Sequence, residues 1–282
     1  MKKEFPARLL SLLLAVMILC PAAAFAGNPF VSPRGSCNSI NGTTVIITIF
    51  VDDPYHNWDW GTRSEDAVSY FRLRSRLETA CNWLTKQAAR YGAKAKFYWD
   101  WHNLDYLYNW YTSSHNMRDY TYTYSELRDY IRDKIPLQAI KTFYNADNAI
   151  FLALYNQDIN ETARGVSFPL DFSAYADSEN AYEILWIMDE DNGLTTSAAG
   201  LAHEIMHCCG AVDFYQGSSY TTDAYVKHLT KIRSKDIMFS IDYSDPDHIG
   251  ESFTDADAYY LGLLSSCPDK RTYGLPDNAF GR

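Results

Sequence analysis

Thr43-Thr44-Val45-Ile46-Ile47-Thr48-Ile49-Phe50-Val51 is an almost unbroken β-branched run, closed by Asp52, Asp53 and Pro54. Branched side chains favour the pleated backbone and Pro cannot continue a ladder, so the run predicts a buried strand. Outward from it, Leu73, Leu77, Cys81, Leu84 and Ala88 recur at helical spacing, and Gly92 closes that segment. A strand over 93–99 follows, then a helical segment over 125–144 that Pro136 breaks or kinks. Residues 149–155 form a second buried strand, and 182–188 return to strand character. The stretch 161–170 mixes polar and apolar residues and reaches Pro169, which suits a sheet edge. Thr195 or Thr196 then caps a helix running through Leu201 and Ile205 to Cys209, with Gly210 placed to end it. Strands alternating with helices predict an α/β (α+β) domain, a mixed twisted sheet covered by helices.

The beginning of the chain reads differently. Met1, Lys2 and Lys3 precede an apolar run from Leu9 to Leu19, and Ala24-Phe25-Ala26 supplies small residues at a cleavage position. This predicts a cleaved export signal over 1–26. The run is too short for a membrane span, which needs about 20 apolar residues. Leu19 before Cys20 lacks the small side chain of a lipid-anchor signal. Residues 27–42 then read as an N-terminal extension and 43–282 as one domain, with subdomains over 43–210 and 211–282, the second smaller and mostly irregular or helical. The expected product is secreted, free of the membrane and monomeric.

Without 1–26 the chain keeps 22 of its 25 basic and 34 of its 35 acidic side chains, a net charge of −12. That balance excludes a nucleic-acid partner, because phosphate binding needs clustered Lys and Arg. Cys37, Cys81, Cys208, Cys209 and Cys267 remain, an odd number whose pairing the sequence leaves open. The aromatic tract over 98–124 reads as a packed or loop-covering segment, or as a carbohydrate platform. No nucleotide-binding glycine motif or nucleophile elbow is present. The acidic turn Asp189, Glu190, Asp191 and Asn192 suggests calcium, but it lacks the EF-hand ligand spacing.

The chemistry concentrates in His203-Glu204-Ile205-Met206-His207. On a helix, residues four apart share a face about 6 Å apart along the axis, so both imidazoles can reach one ion. Zinc accepts such nitrogens at about 2.0–2.1 Å, and Glu204 beside the first of them is placed to act as a base without binding metal. A chance match in a chain of this length arises on the order of one time in a hundred. Gly210 and Asp213 extend the pattern to H-E-x-x-H-x-x-G-x-x-D, and a left-handed Gly can turn the chain so that Asp213 returns to the metal. His228 and His248 remain alternative third ligands.

The stretch from His203 to Tyr215 resembles the metzincin clan of zinc peptidases, in particular snapalysin-like and immune-inhibitor-like members in which Asp replaces the third His. The resemblance implies one catalytic Zn2+ held by His203, His207 and Asp213, with Glu204 as general base. Asp236-Ile237-Met238-Phe239-Ser240 is similar to the clan's Met-turn, and the segment over 253–263 to its closing helix. It also implies a zinc endopeptidase acting on peptide or protein, with the edge segment containing Arg164, Gly165 and Val166 binding substrate as an added strand. Tyr215 and Tyr243 are candidates for stabilising the oxyanion or simply pack against the site. A noncatalytic secreted zinc protein that binds glycan or protein is the competing reading, and hydrolysis of a non-peptide amide is another. Cys37 in the N-terminal extension is a further candidate, as a thiolate placed on the metal.

Overall fold

The computed structural model describes residues 37, 39–62, 64–117, 120–156, 166–169, 183–189, 196–218 and 220–278. Their elements are β1 (Gly42–Asp52), α1 (Ser64–Arg90), β2 (Ala95–Tyr98), β3 (Tyr108–Thr112), α2 (Tyr120–Lys134), α3 (Leu137–Tyr144), β4 (Asn148–Asn156), β5 (Val166–Pro169), β6 (Glu183–Asp189), α4 (Ala198–Cys208), α5 (Asp223–Ile232), α6 (Asp255–Tyr260) and α7 (Pro268–Tyr273). The export signal expected over 1–26 lies outside the described residues, as do Arg164, Gly165 and Glu190, Asp191 and Asn192 of the acidic turn. Among the described residues no helix is long and apolar enough to cross a membrane.

The sheet order is β2-β1-β4-β6-β5, with β3 also paired to β1. β1 runs parallel to β2, β3 and β4, while β4 runs parallel to β6. β5 closes one edge antiparallel to β6, with Val166 opposite Trp186. The architecture is therefore mixed α/β, an open and mainly parallel sheet flanked by helices. β1 is buried from Thr44 to Val51, as expected of a strand covered on both faces. Where it ends, Asp53 explains the Asp-Asp-Pro punctuation: its Oδ1 accepts from the backbone N–H groups of Tyr55 and His56, each at 2.8 Å. Its Oδ2 accepts from the Met117 N–H and the Tyr155 hydroxyl. Those bonds outweigh burial and hold the Asp53 carboxyl below its usual range.

The long helix α1 buries Leu73, Leu77, Ala80, Cys81, Leu84 and Ala88, and α4 packs against it. Pro136 stands at the start of α3, so the break in the 125–144 segment separates two helices. The aromatic tract contributes a strand that its composition concealed, β3. Phe50 on β1 is ringed by Trp58, Trp60, Tyr70, Trp101, Tyr108 and Trp110 at centroid distances of 4.9–6.1 Å. The Trp110 indole N–H also donates to Asp52 Oδ2 at 2.8 Å. Trp58, Tyr70 and Trp101 are buried core and Trp60 and Trp110 pack against it, while Tyr108 is exposed, so most of this ring cluster takes the packed alternative of the sequence reading.

The cap of α4 is Ser197, one residue beyond the Thr pair proposed from sequence, and its Oγ accepts from the Gly200 N–H at 2.9 Å. Arg76, buried on α1, fixes this helix start: its guanidinium donates to the Thr196 carbonyl at 3.0 Å and to Asp247 Oδ1 at 2.8 Å. Beyond 211 the described residues carry three short helices and an isolated bridge between Asp236 and Ser252.

Candidate metal centre

α4 presents His203 and His207 on one face, one turn apart, with their rings 4.6 Å between centroids. After Cys208 the chain turns at Gly210, whose φ of +99° is a conformation that side-chain-bearing residues rarely adopt. The Gly210 N–H donates to the His207 carbonyl and the Ala211 N–H to the Met206 carbonyl, which ends the helix and sends the chain back. Asp213 arrives beside the imidazoles and is held there because the next residue, Phe214, donates its N–H to the Met238 carbonyl at 2.8 Å. The turn carrying Met238 thus lies directly behind the third residue of the site, and the Met238 side chain is fully buried.

His203 Nε2 and His207 Nε2 are 3.1 Å apart, and Asp213 Oδ1 stands 3.3 Å from the first and 3.2 Å from the second. The opposite ring nitrogens are committed: His203 Nδ1 lies 3.0 Å from the Ile237 carbonyl and His207 Nδ1 3.0 Å from the Ala211 carbonyl. A carbonyl oxygen only accepts, so each Nδ1 carries a hydrogen, and in its neutral form each ring turns an Nε2 lone pair inward. Asp213 Oδ1 is buried without a hydrogen-bond partner. Three lone-pair atoms facing one another repel unless positive charge sits among them. Bonds of about 2.0–2.1 Å to a tetrahedral ion separate its ligand atoms by about 3.3–3.4 Å, close to the sides of this triangle. His203, His207 and Asp213 can therefore hold a metal ion.

In the metal-free chain a proton on the imidazoles supplies that positive charge, and a metal ion would displace it. Burial opposes charge on both imidazoles, yet the Asp213 carboxylate overcomes it, raising His203 and pushing His207 up to about 10. Burial likewise opposes ionisation of Asp213, but the two histidines hold it far below the carboxylate range. The Tyr215 hydroxyl donates to Asp213 Oδ2 at 2.6 Å, leaving Oδ1 to face the imidazoles. Burial, then the Asp213 charge, push the Tyr215 phenol strongly upward, so it remains a donor. Glu204 lies near enough for its charge to act on both imidazoles and on Tyr215. Exposed Tyr243 is close enough to influence Tyr215.

The alternatives for the third ligand sit elsewhere. His228 stacks against Tyr225 and Tyr273, and exposed His248 pairs with Asp245 at 2.9 Å. Neither joins the cluster, because α5 and the 242–249 loop occupy those positions with other contacts. Cys37 is also not a member; its backbone N–H meets the Cys208 carbonyl at 3.0 Å, at the end of α4. Val166 lies on edge strand β5.

Sequence reasoning missed the support beneath the site. Asp236, fully buried, accepts from the Met238 N–H at 2.8 Å and from the Thr254 hydroxyl at 2.7 Å. Thr254 and Asp257 form a reciprocal capping box on α6, tying that helix to the turn. Burial raises the carboxyl groups of both Asp236 and Asp257. The spacing of Thr254 and Asp257 was the available signal for the cap, but nothing local announces its partner Asp236. No family model and no curated protein matches this sequence.

Proposed function

We propose that the chain is a secreted zinc-dependent endopeptidase of the metzincin type, with Glu204 as its general base. The observation that carries this reading is the triangle of two imidazole nitrogens and one carboxylate oxygen, 3.1–3.3 Å on a side, with both outer nitrogens engaged by carbonyls. Zinc bound there supplies Lewis acidity, lowering the pKa of water toward ~7 and polarising a scissile carbonyl.

The protein's own groups supply the rest. Glu204 follows the first ligand directly, so the helix aims it beside the imidazoles without adding it to the ligand set. Its carboxylate accepts a proton from the attacking water and passes it to the leaving amine. Tyr215, kept protonated, commits its one O–H to Asp213 and so orients that ligand, which leaves Tyr243 as the phenolic candidate for the oxygen that gains charge. Among the described residues β5 is an outermost strand, and an extended peptide would add beside it as a further strand, at the segment that includes Arg164, Gly165 and Val166. Met238 and its turn hold Asp213 from behind.

The acid beside the ligands favours catalysis over a noncatalytic zinc protein, for which a carboxylate at Glu204 has no task. Glu204→Gln keeps the size and removes the base. The expected result is full zinc content with hydrolysis of casein or gelatin reduced by about 10²–10⁴-fold. Retained hydrolysis in that variant would overturn the assignment.

A further inference from the structure

Three cysteines meet where the N-terminal segment reaches the metal helix. Cys37, Cys208 and Cys209 are all buried, and the Cys37 N–H donates to the Cys208 carbonyl at 3.0 Å. That oxygen belongs to the peptide joining Cys208 to Cys209. Residues paired through backbone hydrogen bonds in an antiparallel ladder have Cα atoms about 5.5 Å apart, the scale of approach that such a bond sets. Disulfides form across Cα separations of about 4.4–6.8 Å, the same scale, so the bond brings Cys37 toward bridging reach of the residues that flank this peptide. The neighbours themselves diverge. Cys209 is the C-cap, its N–H donating to the Met206 carbonyl in the tighter i→i−3 bond of a helix end, where successive side chains point roughly 120° apart. They cannot readily bridge each other, and only one of them can face Cys37.

We propose that Cys37 forms a disulfide with one member of the Cys208–Cys209 pair, clasping the N-terminal segment to the end of the metal helix one residue beyond His207. The step is thiol–disulfide exchange with a small-molecule disulfide as oxidant. The Cys37 thiolate attacks that disulfide and expels one thiolate; the helix cysteine then attacks the mixed disulfide and expels the second. Two protein thiols lose their protons and two electrons pass to the oxidant, which leaves as two thiols. The remaining cysteines are placed differently: Cys81 is sunk in α1, and the Cys267 sulfur caps α7 by accepting from the Lys270 N–H. The clasp closes a long loop and thereby restricts the unfolded chain. It does not depend on the identity of the metal or on catalysis.

The purified chain is equilibrated with oxidised glutathione, denatured, alkylated and mapped by mass spectrometry after digestion. The expected product is a cross-linked peptide joining Cys37 to Cys208 or Cys209, with Cys81, Cys267 and the other helix cysteine alkylated. Reduction of the folded protein should lower Tm by roughly 5–15 °C, and Cys37→Ser should abolish both the cross-link and the reductant sensitivity. Alkylation of all three clustered cysteines, a Cys208–Cys209 link, or a bridge involving Cys81 or Cys267 would each overturn the proposal. Zinc content and proteolysis are read separately, so failure of the clasp is distinguishable from failure of the peptidase reading.

Discussion

Replacing Tyr215 with Phe removes one oxygen atom and tests how the third ligand is held. The phenol donates at 2.6 Å to Asp213 Oδ2, a short bond to a charged acceptor in a buried setting. Bonds to charged groups contribute about 1.5–3 kcal/mol, and lost support around a metal ligand typically weakens metal binding by about 10–100-fold. The two ranges coincide because 1.4 kcal/mol is a factor of ten, so Tyr215→Phe is expected to raise the zinc Kd by one to two orders of magnitude. Competition with a chromophoric chelator reads this directly. Because burial and the Asp213 charge keep the phenol protonated, the wild-type advantage should be the same at pH 6.5 and pH 8.5. An unchanged Kd in the variant, or an advantage that vanishes at the higher pH, would refute the reasoning. Tyr215→Ala is the weaker test, since it also opens a cavity.

Asp257→Asn probes the paired buried acids. A folded-state pKa raised above the unfolded value contributes stability fully present below about pH 4 and lost as pH climbs, at up to about 1.4 kcal/mol per unit while the proton is retained. Relative to wild type, the variant should therefore gain stability progressively between pH 4.5 and 6.5 in urea melts; a pH-independent difference would show that Asp257 does not hold a proton. Arg76→Met leaves the Thr196 carbonyl without its buried donor and should cost about 2 kcal/mol, modest because Asp247 on the far side is exposed to solvent. Denaturant midpoints check that figure, and no loss would mean the helix start is held by Ser197 alone.

Sheet and helix identities were legible where one physical signal dominated. The run 43–51 is apolar on both faces because β1 is central, and α1 shows its 3.6 period because one side packs. The edge character of β5 was also legible, through Pro169. β3 escaped because Tyr and Trp suit strands, cores and binding platforms alike, and only the cluster around Phe50 decides among them. The helix cap shifted from the Thr pair to Ser197 because neighbouring hydroxyl residues offer the same chemistry, and backbone direction selects one.

At the site, spacing alone placed His203 and His207 together, since a helix converts it into shared direction. Asp213 needed the chain reversal at Gly210, which a glycine three residues after His207 made readable. The carbonyls of Ile237 and Ala211 were not readable, because any residue carries a carbonyl and its identity leaves no mark. Asp236 belongs to the same class: its partner Thr254 is 18 residues away.

The central claim is a single zinc ion held by two imidazole nitrogens and one carboxylate oxygen. X-ray absorption at the zinc edge on purified protein, with elemental analysis of the same sample, tests it most directly. The account predicts one zinc per chain and a first shell of two imidazoles with oxygen, reduced to one imidazole in His207→Ala. A metal-free protein, a sulfur ligand in the shell, or a shell unchanged by His207→Ala would contradict it.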